Sequence, residues 1–64
     1  MSITVDTYKI EDSAEPWTIV RKVDGYRRAL KAARSLARRT GRMHYVMPMD
    51  PAKAGRVTEV RADD

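Results

Sequence analysis

Hydrophobic and polar positions along this chain change their period twice. Between Ile3 and Ile10 the β-branched and aromatic residues Ile3, Thr4, Val5, Thr7, Tyr8 and Ile10 predict a first strand. Ile3 and Val5 fall on one face of it and Tyr8 and Ile10 on the other, so a bulge near Asp6-Thr7 is expected to reconcile them. Glu11 to Pro16 reads as a polar, acidic loop. Trp17 to Val23 reads as a second strand with Trp17, Ile19 and Val23 on one face, and the short connection predicts a hairpin.

From Asp24 the period becomes helical. Asp24 is a good N-cap, the alanines at 29, 32, 33 and 37 favour helix, and Gly41 sits where a helix ends, which predicts a helix over 25–40. Period two then returns. Met43, Tyr45, Met47 and Met49 alternate with His44, Val46 and Pro48, giving a third strand over 42–49 that Pro48 ends or places at an edge. Asp50 to Gly55 reads as a capped helical turn and Arg56 to Ala62 as a fourth strand, with Asp63-Asp64 frayed. The expected fold is α+β: one small domain over residues 1–64, a β-β-α-β-β chain whose antiparallel sheet carries one amphipathic helix on one face.

Size sharpens this picture. A chain of 64 residues buries only about 60% of its unfolded surface, and a core of that size supplies roughly 3–5 kcal/mol. With no cysteine there is no disulfide and no thiolate metal site. The residues that open the sequence have neither a basic nor an apolar leader segment, and no apolar run approaches the ~20 residues of a membrane span. A soluble, cytoplasmic protein with no membrane partner is the expectation.

Charge adds the main functional clue. The chain is +4 overall, yet Gly25 to Met49 holds Arg27, Arg28, Lys31, Arg34, Arg38, Arg39 and Arg42 with no acid among them. On a helix, Lys31, Arg34 and Arg38 fall within about 40° of Arg27, opposite an arc of Tyr26, Ala29, Leu30, Ala33, Leu36, Ala37 and Thr40. The result is a basic ridge about 16 Å long. A solvated helix face ordinarily mixes signs. Like-charge neighbours three or four residues apart each cost about 0.2–0.5 kcal/mol, and cations in the first turn oppose the helix dipole. Arg38, Arg39 and Arg42 sit at the favourable end, so Arg27, Arg28 and Lys31 carry the argument. Asp6, Glu11, Asp12 and Glu15 are the acids that could fold back and neutralise the ridge.

Arginine supplies nine of the thirteen cations, and its planar fork suits phosphate and carboxylate alike. Two functions are therefore expected. The first is a non-enzymatic nucleic-acid-binding module (DNA or RNA) that contacts phosphates with little sequence preference, because the chain has no Asn or Gln to read adenine. The second is a small regulator or inhibitor, of the kind phages and mobile elements carry, docking the ridge on an acidic protein surface. Tyr8 and Tyr45 are candidates for stacking on bases, whereas Trp17 and Tyr26 are expected in the core. Met43, Met47 and Met49 share a strand face that is expected to serve as core filler or as the seam of a homodimer, and Ala32 would admit a second helix. His44, the only histidine, is expected on the solvent face of its strand. No cofactor, metal or catalytic residue is expected.

Overall fold

A computed structural model of the chain describes residues 6–50, 52 and 56–63. Among these residues four strands and one helix follow in the order β1 (Thr7–Asp12), β2 (Glu15–Asp24), α1 (Tyr26–Thr40), β3 (His44–Pro48) and β4 (Thr58–Val60). The strands form one antiparallel sheet ordered β2-β1-β3-β4, with α1 packed on one face. This is an α+β fold. The parts of the first strand and of the helical turn expected at residues 3–5, 51 and 53–55 lie outside the described residues.

Alternation in β1 and β3 sets the core. Tyr8, Ile10 and Asp12 of β1 stand opposite Pro48, Val46 and His44 of β3, all on the helix side. The same register continues into β4, where Val60 pairs with His44 and Thr58 with Val46. The helix answers with Ala29, Ala33 and Ala37, which recur every fourth residue and are fully buried against Ile10, Val46 and Val60. Three methyl-sized side chains in the contact stripe let the helix backbone come close to the sheet. The larger Leu30 and Leu36 close the flanks, together with Tyr8, Val23, Ala32 and Ala62. Such a thin core leaves no volume into which a larger side chain at the stripe could relax.

The hairpin departs from the expected outline. β1 runs on to Asp12 and β2 begins at Glu15, so the connection is the two-residue turn Ser13-Ala14 rather than a loop over 11–16. Register shifts fall between Ile10 and Glu11 and between Glu11 and Asp12; the bulge expected near Asp6-Thr7 depends on Ile3 and Val5, which lie outside the described residues. Because Ile10 opposes Arg21 while Glu11 opposes Ile19, one extra residue enters β2 there. That slip turns Ile19 away from the face Val23 uses. Val23 packs on the core, whereas Ile19 is 41% exposed and Val20 45% exposed.

The start of the helix differs as well. Asp24 does not cap it; its carboxylate accepts a hydrogen bond of 2.7 Å from the Thr7 hydroxyl and ties the end of β2 to the start of β1. Gly25 takes the N-cap position at φ 89°, with its N–H donated to the Asp6 carbonyl at 2.8 Å, and no side chain caps the first turn. A positive φ at this corner favours glycine over any residue with a Cβ. The other helix end is as expected. Gly41 adopts the left-handed conformation at φ 73° and donates its N–H to the Ala37 carbonyl at 2.8 Å. Two further bonds help close this end. The Thr40 hydroxyl donates to the Leu36 carbonyl at 2.9 Å and accepts the Arg42 N–H at 3.2 Å.

The third strand lies inside the sheet, between β1 and β4. Its methionines are not core filler on the helix side: Met47 and Tyr45 point to the face opposite α1, because His44, Val46 and Pro48 point toward it. Asp50 does act as a cap, accepting the Ala52 N–H at 3.0 Å. No helix among the described residues is long and apolar enough to cross a membrane.

Candidate nucleic-acid interface

The helix presents Arg27, Arg28, Lys31, Arg34, Arg38 and Arg39 to solvent, on the side away from Ala29, Ala33 and Ala37. No acidic residue occupies the first turn. Among the described residues no carboxylate lies within ion-pairing distance of Arg27, Arg28, Lys31, Arg34 or Arg39. Two of the four acids that could have covered them are committed elsewhere. Glu11 is buried and pairs with Lys9 at 3.4 Å, and Asp12 is buried beside Arg42.

Arg42 is thereby withdrawn from the ridge. Its Nε lies 3.0 Å from both Asp12 carboxylate oxygens, and its Nη2 lies 2.6 Å from Oδ2. The Asp12 carboxylate also accepts the Ala14 N–H at 2.9 Å, which fixes the hairpin turn. These hydrogen bonds, the Arg42 fork first and the Ala14 N–H next, hold the Asp12 carboxyl down at about 2 against an ordinary 3.8. The same contact raises the Arg42 guanidinium. His44 completes the cluster and is 1% exposed, not on the solvent face as expected. Its Nδ1 is 3.0 Å from the Arg42 carbonyl, which can only accept, so Nδ1 carries the proton. Its Nε2 then faces the Asp12 carboxylate at 3.8 Å. The bond from Nδ1 to the Arg42 carbonyl satisfies the ring's donor, which is why a buried imidazole is tolerated here.

The cluster joins the tip of the β1–β2 hairpin to the segment leaving the helix, which makes it a structural clamp. A carboxyl held below its ordinary value is ionised more readily in the folded state, so it stabilises the fold above about pH 3.8 and ceases to do so as pH falls toward about 2. The fold is therefore expected to lose stability across that acid window. Asp12→Asn should lower the melting temperature at neutral pH and flatten its dependence between these two values, which melting curves at several acid pH values will show.

The tyrosines separate. Tyr8 lies on the helix side and packs on Tyr26, with ring centroids 5.3 Å apart and planes inclined by 57°. Tyr45 lies on the opposite face of the sheet, between Glu11 and Glu59 in register. One ligand cannot lie along the helix ridge and stack on Tyr45 at the same time. Tyr26 is not core: 43% of it is exposed, and its hydroxyl is 2.8 Å from that of Thr58. It forms part of the wall of a cleft of about 540 Å³ and also stands beside Arg27 and Arg28 on the helix surface. The alternation of His44 with Val46 and Pro48 is a signal in the sequence for a buried histidine. Nothing in the sequence joins Asp12 to Arg42 across thirty positions. No protein-family model, curated protein or solved structure matches the chain.

Proposed function

We infer that the chain is a small nucleic-acid-binding module that lays its helix ridge along phosphates and reads sequence weakly. The observation that carries this reading is the row Arg27, Arg28, Lys31, Arg34 and Arg39, exposed and without a carboxylate partner among the described residues. A domain whose whole core supplies only a few kcal/mol sustains like-charge neighbours and first-turn cations that a stability-driven surface would replace with Glu. The ridge length also fits. About 16 Å of helix matches some five successive phosphates at 3.4 Å of rise per strand.

Neutralising about five phosphates gives a slope of log affinity against log salt near −4.5 on duplex DNA. Titration of a short duplex at two salt concentrations measures it. No binding, or a flat slope, contradicts the reading. Retention of an acidic protein partner after nuclease treatment, with no nucleic-acid binding, would move the ridge to the regulator class instead.

A further inference from the structure

Beside the ridge, on the helix side of the sheet, the starts of β1, α1 and β4 and the end of β3 enclose the cleft of about 540 Å³. Its walls are Tyr8 and Tyr26 with Val46 and Pro48, and its polar groups are Asp6, Arg56 and Thr58. Its mixture of aromatic walls with a few polar groups suits a planar aromatic ring. Tyr26 keeps 43% of its surface exposed although the neighbouring Tyr8 and Thr58 both touch it. It belongs both to this cleft and to the surface formed by Asp24, Gly25, Arg27 and Arg28.

We propose that this cleft receives one unpaired nucleobase of a strand whose phosphates lie on Arg27 and Arg28. The proposal rests on the nucleic-acid reading above and adds a preference within it, for single-stranded or flipped-out nucleotides over a closed duplex. The chemistry is that of stacking: every base has a π-face that an aromatic wall can cover, while its edge can hydrogen-bond to the groups around it. Here Arg56 supplies donors, Thr58 both a donor and an acceptor, and Asp6 acceptors. Tyr26, common to the cleft and to the surface beside Arg27 and Arg28, joins the two halves. Tyr26 and Arg27 point about 100° apart on the helix, and the surface at the start of α1 that Tyr26 shares with Arg27 and Arg28 is where a strand would pass from phosphate contact to the cleft.

The test compares the full chain with Tyr26→Ala and Tyr26→Phe, using fluorescence anisotropy on a labelled single-stranded oligonucleotide and on its blunt duplex. The intact protein should favour the single strand. Tyr26→Ala should lose about tenfold on the single strand and stay within about twofold on the duplex, in line with one base–aromatic stack. Tyr26→Phe should retain single-strand affinity, since it keeps the ring. An equal loss on both nucleic acids, no loss on either, or a loss in Tyr26→Phe as large as in Tyr26→Ala would overturn the proposal. A free mononucleotide should compete only weakly, because it brings a single phosphate to the ridge. Competition as strong as that of the oligonucleotide would place the whole affinity in the cleft and overturn the strand geometry. Absence of binding to both nucleic acids would instead refute the phosphate-ridge reading itself. Duplex binding that ignores Tyr26, with no single-strand preference, would refute the cleft alone. Melting curves of both variants separate unfolding from loss of contact.

Discussion

Replacing Ala33 with leucine should come close to unfolding the protein. Ala33 is fully buried at the middle of the Ala29-Ala33-Ala37 stripe, where the helix backbone rests on Ile10, Val46 and Val60. Three extra carbon atoms have no space there, so either the helix lifts from the sheet or side chains leave their rotamers. Overpacking of this kind costs about 1–3 kcal/mol. That is a large share of what a core of this size provides, about 3–5 kcal/mol. At about 4–8 °C per kcal/mol for a domain of this length, the melting temperature should fall by roughly 5–20 °C. Ser35→Leu, on the exposed side of the same helix, serves as the control and should change stability by no more than about 0.5 kcal/mol. A melting temperature unchanged in the Ala33 variant would show that the helix does not sit as close as the alanine stripe requires.

The second large effect lies in binding. Arg27→Glu with Lys31→Glu reverses two ridge charges one turn apart, both exposed and neither paired with an acid among the described residues. Each phosphate contact contributes about 0.9 of a decade at 0.1 M salt relative to 1 M, so losing two should lower duplex affinity by roughly 60-fold. The salt slope should shrink by about two units. Repulsion between the new carboxylates and the backbone adds to the loss. Stability should move the other way. A glutamate in the first turn complements the helix dipole, worth about 0.3–1 kcal/mol, and the Lys31/Arg34 repulsion becomes an attraction, while the like-charge repulsion between positions 27 and 31 persists with its sign reversed.

This opposition between stability and binding bears on what the sequence reveals. The helix is legible because three independent signals agree: an alanine-rich stripe of period 3.6, a polar face, and a terminal glycine whose left-handed conformation the structure shows. The alternation of β3 likewise fixes which residues face α1. What the sequence conceals depends on single-residue shifts. The extra residue in β2 sends Ile19 outward and Val23 inward, and no composition rule places it. Asp24 suits a cap, yet the Thr7 hydroxyl outcompetes the helix for it. The sequence places Asp12 in an acidic loop, but the tight turn carries it into the sheet, where Arg42 folds onto it.

The ridge was partly legible for the same reasons. Helical periodicity puts Arg27, Arg28, Lys31, Arg34, Arg38 and Arg39 on exposed positions, as observed. It says nothing about Arg42, whose partner lies 30 residues away. Nor could it settle where the N-terminal acids go. Two of them, Glu11 and Asp12, are spent on Lys9 and Arg42. Tyr26 was hidden by its place in the apolar arc. At the first turn of the helix, that arc opens on the cleft over the ends of β1, β3 and β4.

The central claim is that the ridge is kept for a polyanion at the expense of stability. The most direct test measures the melting temperature and the duplex affinity of Arg27→Glu/Lys31→Glu on the same preparation, beside the unaltered chain. The account predicts a melting temperature equal to or a few degrees above the parent together with an affinity reduced by roughly 60-fold at 0.1 M salt. An affinity that survives the reversal while the fold remains intact would show the ridge to be solvated surface and contradict the account.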